Sequence, residues 1–189
     1  MGADAVHRSI VLAFAGPNGS GKSTVNRGLP VFGTYVNADD LKREYGLNDL
    51  EAARQAESLR NELLNKQADF SFETVLSTER NLRLLQKAKE AGYEVQCIYV
   101  LTCSEDVNVA RVRARAASGG HDVPEDKVRS RYRRALSLLP QLISVCDKIL
   151  VYDNTDVPSL IFKKENAYSE YFPNSFWPEE KLKALLGLL

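Results

Sequence analysis

The densest chemistry in the sequence lies in nine consecutive residues, Gly16-Pro17-Asn18-Gly19-Ser20-Gly21-Lys22-Ser23-Thr24. They fit the pattern GxxxxGK[ST] and follow an apolar run directly, as a phosphate-binding turn must. The glycines let successive backbone N–H groups face inward on phosphate oxygens. At that spacing Lys22 reaches the outer phosphates as a point charge, and the Ser23 hydroxyl can ligate Mg²⁺. All nine residues are therefore expected at a triphosphate site, with ATP and Mg²⁺ as cofactors. The nearest string to a guanine-reading NKxD, Asn154-Thr155-Asp156, lacks the lysine, which argues against a GTPase. Motor-type ATPases usually need a longer chain, whereas a small kinase needs a cradle, an acceptor pocket, a base and mobile arginines.

Each of those parts has candidates. Asp39 and Asp40 close the string Tyr35-Val36-Asn37-Ala38-Asp39-Asp40, after a short strand and before a helical segment. A carboxylate there can take the proton of an attacking hydroxyl, and Asp39 is the expected base, with helix capping as the competing role for either residue. Glu73 and Thr74 end Phe70-Ser71-Phe72-Glu73-Thr74, where a carboxylate and a hydroxyl suit hydrogen bonding to a polyol acceptor. Between Asn108 and Arg134 eight Lys/Arg face three acids, a local surplus in a chain of zero net charge. Arg111 and Arg115 share a helix face; Ser118-Gly119-Gly120-His121 breaks the helix, and Asp122-Val123-Pro124-Glu125 restarts it. Helix, glycine hinge and helix make a lid over about 108–134 that can close arginines onto phosphate. Arg111, Arg115, Arg131 and Arg134 are the expected contacts, and His121 a hinge or substrate residue. Arg113, Arg129 and Arg133 are expected on a solvated face.

Positioning these groups takes an α/β framework. Strands are expected at Ser9–Ala15, Thr34–Asn37, Phe70–Glu73, Val95–Leu101 and Lys148–Asp153, alternating with helical periodicity over Leu50–Gln67, Thr78–Ala91, Ser104–Ala117 and Glu125–Val145. Alternation of this kind predicts a five-stranded parallel sheet with helices on both faces and ligands at the strands' carboxyl ends. With 189 residues, one domain spanning 1–189 is expected, including a C-terminal appendage from about 157 whose aromatics cover a sheet edge. Balanced charge argues against coating nucleic acid or a membrane, and the three cysteines suggest neither a disulfide framework nor a zinc site. The longest early apolar run, Ile10 to Ala15, is far too short to span a bilayer, so a cytoplasmic protein is expected.

From Ile10 to Asn154 the sequence resembles the zeta toxin family of P-loop kinases, through AGPNGSGKST, VNADD, FSFETVLST, GYEV, ARVRARAASGGHDVPEDKVRSRYRRAL and VYDNT. The resemblance implies a nucleoside-kinase-like P-loop fold and ATP- and Mg²⁺-dependent phosphorylation of a small-molecule hydroxyl, foremost on a nucleotide sugar such as UDP-N-acetylglucosamine. It also implies an antitoxin partner. Lys22 and Ser23 would serve triphosphate and metal, and Asp39 would be the base. Glu73 and Thr74 would contact the acceptor; Arg115 and Arg131 match by lid region, and Asn154 lies near the adenine in similar kinases. Two other classes remain: an enzyme acting on nucleic-acid or protein hydroxyls, which the basic lid would suit, and a regulatory module that binds ATP without catalysis.

Overall fold

β1 (Ile10–Ala15) is the axis of the fold, and in the computed structural model, which describes residues 8–120 and 122–188, it is the middle one of the parallel strands. β3 (Phe70–Thr74) pairs with one side of it and β4 (Glu94–Leu101) with the other, both parallel. β2 (Thr34–Val36) adds outside β3, and β5 (Lys148–Asp153) outside β4, giving five parallel strands at the expected places. The chain therefore departs in opposite directions from the two sides of β1. That is the switch point where an open parallel sheet leaves a crevice at its carboxyl ends.

The sheet is larger than expected. β6 (Ser159–Glu165) and β7 (Tyr168–Tyr171) extend it in the order β2-β3-β1-β4-β5-β6-β7, and both are antiparallel to their neighbours. The physical cause is loop length. Only Asn154–Pro158 separates β5 from β6, and two residues separate β6 from β7, too few for a parallel crossover. The appendage thus continues the sheet, with Tyr171 packed on Phe162 and Trp177 buried.

Two helical expectations also need correction. The segment 125–145 splits into α6 (Glu125–Ser137) and α7 (Leu139–Val145), because Pro140 has no N–H to continue the ladder and sits in the first turn of the new helix. After the glycine-rich turn, α1 (Lys22–Val25) is a single turn that stops at Asn26, ahead of Gly28 and Pro30. One sheet face is covered by α3 (Asp49–Asn65), α4 (Glu79–Glu90), α7 and α8 (Glu179–Leu186), which bury Val11, Ala13, Phe72, Tyr99 and Val151. The opposite face carries Leu12, Phe14, Ile98 and Val100 under Val25, Leu29 and Phe32, with no full helical layer. Among the described residues no helix is long and apolar enough to cross a membrane.

Candidate active site

The turn after β1 is held in shape by backbone that tolerates only glycine. Gly19 and Gly21 have φ of 80° and 83°; a Cβ on Gly21 would lie 2.1 Å from Asn154 Nδ2, and one on Gly19 would lie 2.5 Å from the Asn108 carbonyl oxygen. Those two neighbours are asparagines that brace the turn from either side. Asn154 follows β5 and donates from Nδ2 to the Ser20 carbonyl at 2.7 Å. Asn108 lies in α5 (Glu105–Ala117) and donates to the Asn18 carbonyl at 2.6 Å, while its Oδ1 accepts the hydroxyl of Thr102. Asn108 and Thr102 are fully buried and were not anticipated from the sequence; Asn154 was, but its side chain is spent on the turn itself.

Lys22 opens α1 and is nine-tenths buried. Its ammonium donates to the Gly16 carbonyl at 2.9 Å and lies 3.7 Å from Glu73 Oε1. Burial pushes its pKa below the usual lysine value, the Glu73 carboxylate opposes this, and Arg115 adds to it. A cation held so, short of a full counter-ion, is poised for an anionic ligand. Ser23 is exposed beside it.

Asn37 makes the helix cap that either of the paired acids could have supplied. It caps α2 (Ala38–Tyr45), its Oδ1 accepting from the Asp39 amide at 2.9 Å, so neither aspartate is needed as the cap. Asp40 pairs on the surface with Arg43 at 2.8 Å. Asp39 instead lines a cleft of about 470 Å³ that also contains Lys22, Asn18, Glu73, Thr74, Arg115 and Arg131. A cleft of that size takes a small-molecule ligand. Glu73 sits between the Lys22 ammonium and the Tyr35 hydroxyl, which donates to Oε2 at 3.4 Å. The Thr74 hydroxyl already accepts from the Leu76 amide at 2.9 Å and from Asn81 Nδ2 at 2.8 Å, leaving its proton for a ligand. Leu76, which also lines the cleft, is buried at φ +52°, a conformation that strains a non-glycine residue.

The arginines divide into two sets. Arg113, Arg129 and Arg133 are taken by Glu105, Asp106 and Glu125, ion pairs that tie α5 to α6. Arg131 reaches Asn18 Oδ1 at 3.3 Å, and Arg115 lines the cleft. Arg111 lies behind the turn, donating to the Thr155 carbonyl at 3.0 Å, with Nη1 buried and unpartnered. Arg134 folds back onto Ser130 of its own helix and does not line the cleft. His121 lies outside the described residues. α6 restarts at Pro124 without a side-chain cap.

The donor chemistry suits magnesium triphosphate. Oxygen donors of the kind a hydrated Mg²⁺ takes are present: the Asp39 and Glu73 carboxylates line the cleft, and the exposed Ser23 hydroxyl follows Lys22 in sequence, outside that lining. Asp153 is not available for that role. It is buried, and its oxygens take the amide and hydroxyl of Thr155 and the amide group of Asn174.

The zeta toxin family model matches residues 29–166, most of the chain. The chain belongs to the zeta toxin family of P-loop kinases. The match begins beyond the glycine-rich turn, so motif and family model are separate lines of support. An uncharacterized protein of Haemophilus influenzae is 30% identical over 133 residues, covering 67% of this chain and 95% of that protein. Among solved structures, AvrRxo1-ORF1:-ORF2 with ATP superposes with a TM-score of 0.74 at 14% identity, over 96% of this chain. This zeta toxin homologue spans 64% of that AvrRxo1 chain. The PezAT chromosomal toxin–antitoxin system of Streptococcus pneumoniae gives a TM-score of 0.58 at 21% identity, covering 99% of this chain and 87% of that one. At such identities these two likenesses bear on the fold alone.

Proposed function

We propose that the chain transfers the γ-phosphoryl group of ATP to a hydroxyl of a small molecule, with a nucleotide sugar such as UDP-N-acetylglucosamine as the leading acceptor. The observation that carries this reading is one cleft of about 470 Å³ lined by both Asp39 and Lys22. Asp39 takes the proton from the acceptor hydroxyl, the freed oxygen attacks the γ-phosphorus, and ADP leaves. Lys22, Arg115 and Arg131 hold the charge on the transferring oxygens, while Glu73 and Thr74 bind the acceptor's other hydroxyls. The turn from Gly16 to Thr24 binds the triphosphate, and Arg111 and Asn154 support it from behind. Ser23 would hold the magnesium ion of the triphosphate, which would supply neutralisation of phosphate charge.

Labelled ATP incubated with a panel of sugar nucleotides and dinucleotides, read by mass spectrometry for the gain of one phosphate, tests this reading. The wild-type chain should phosphorylate one compound, and Asp39→Asn should lower its rate by ~100-fold or more with ATP affinity retained. Equal turnover by the variant would remove Asp39 from the mechanism. If UDP-N-acetylglucosamine stays unmodified while another compound gains mass, the kinase reading stands and the acceptor changes. The toxin–antitoxin context of PezAT also motivates a neutralising protein partner, and inhibition of this phosphorylation by a co-purifying protein is its test.

A further inference from the structure

A second hollow, of about 480 Å³, lies between α3 and α4, and shares Thr78 and Asn81 with the cleft as a common wall. Its lining carries four cations (Arg60, Arg80, Arg83 and Lys87) against two carboxylates (Glu57 and Glu79). Arg80 and Arg83 lie on the rim, each more than half exposed and paired with Glu57 and Glu79.

Arg60 differs from them. It is 93% buried, its Nε is closed off from solvent without a partner, and no hydrogen bond or ion pair to it is formed among the described residues. Its guanidinium lies 5.2 Å from the centre of the Phe72 ring, on the strand that carries Glu73 and Thr74 into the cleft. Burial lowers its pKa, opposed by Glu57 and reinforced by Arg80. A buried guanidinium without a hydrogen-bonded counter-ion costs stability, and cation–π contact with one ring offsets only part of that cost. Its planar fork fits a phosphate group, which would satisfy it. The surplus of two positive charges suits a diphosphate better than a single carboxylate.

We propose that this hollow receives the phosphate or diphosphate group of the acceptor whose hydroxyl is offered to Asp39, with Arg60 as the buried anchor and Arg80 swinging in from the rim. The assignment rests on the kinase reading above for the word acceptor, but anion binding at Arg60 can be measured without any phosphoryl transfer. It makes the acceptor anionic at a point beyond the Thr78–Asn81 wall, so neutral sugars and polyols are excluded as good substrates.

The test is calorimetric titration of inorganic pyrophosphate into the full chain, with the glycine-rich turn first saturated by a non-hydrolysable ATP analogue and magnesium. Saturable binding is expected in the wild type, with affinity weakened at least tenfold in Arg60→Met and in Arg80→Ala. Thermal melting supplies the second readout. Removing an unpaired buried charge should leave the ligand-free midpoint of Arg60→Met unchanged or raised, whereas a purely structural Arg60 would lower it. Absence of saturable binding in the wild type, affinity unaltered by Arg60→Met, or a lowered Arg60→Met midpoint would overturn the assignment. The two readings fail separately. Arg60-dependent pyrophosphate binding by a chain that phosphorylates nothing refutes the kinase reading alone, and rapid phosphorylation of an acceptor by Arg60→Met at unchanged KM refutes the anion site alone.

Discussion

Replacing Asn108 by alanine removes a buried amide that joins three parts of the site: the Asn18 carbonyl in the phosphate-binding turn, the Thr102 hydroxyl after β4, and α5 of the lid. Thr102 keeps an alternative acceptor, the Ser104 carbonyl at 3.0 Å, so its loss is partly made good. The Asn18 carbonyl loses the amide that donates to it at 2.6 Å. The bond is part-buried, so the orphaned acceptor costs at most ~1–3 kcal/mol. In a chain of this length each kcal/mol moves the melting midpoint by about 2–4 °C, so a fall of ~2–12 °C is expected. If that energy is what holds the turn in its anion-binding shape, ATP affinity should fall by up to about fivefold to 150-fold, because only the ordered fraction binds. Differential scanning fluorimetry and titration with a fluorescent ATP analogue read the two effects. Tyr132→Phe is the control, since its hydroxyl donates to the Thr102 carbonyl at 2.7 Å without touching the turn. It should lower the midpoint and leave ATP affinity unchanged. Asn108→Asp should rescue little, because its carboxylate still accepts from Thr102 but faces the Asn18 carbonyl with like charge. An Asn108→Ala protein that melts early yet binds ATP as tightly as wild type would refute the claim that the brace orders the turn.

Gly21→Ala should abolish ATP binding in the same titration with a folded circular dichroism spectrum, since its Cβ would meet Asn154 Nδ2 at 2.1 Å in a backbone at φ +83°. The lowered pKa of Lys22 makes ATP binding pH-dependent: affinity should fall as pH rises through the free-state value, and binding in that range should take up protons, measured by calorimetry in two buffers of different ionisation enthalpy. Asp147 sets an acid limit on stability. Burial opposes its ionisation, but the Lys89 ammonium, the Val95 amide and Arg8 outweigh that and hold its carboxyl below the usual range. Its contribution is therefore present above the unfolded-state carboxyl pKa and lost as pH falls through the folded one, and Asp147→Asn should flatten the melting curve's dependence on pH in that window.

What could be read from the sequence, and what could not, follows from how far apart the interacting residues lie. Gly16 to Thr24 form one contiguous string whose chemistry is complete in itself, and the five parallel strands each announce themselves by a short apolar run. Asp39 was legible because strand, carboxylate and helix follow one another within a few residues. The braces were not, because Asn108 meets Asn18 across 90 positions and Asn154 meets Ser20 across 134. Nothing local marks an asparagine in a helix as the partner of a distant carbonyl. β6 and β7 do carry a local signal: Ile161-Phe162 followed by Glu165-Asn166-Ala167-Tyr168, with Asn166 at φ +55°, is strand, turn and strand. Arg60 is the opposite case. On sequence it is one more charge in an amphipathic helix, and only burial without a partner sets it apart. A charged side chain that the fold buries and leaves unpaired lowers stability in every ligand-free molecule. A ligand that supplies the missing counter-ion offsets that cost in the occupied protein, which is why Arg60→Met is expected to leave the empty protein at least as stable while impairing the occupied one.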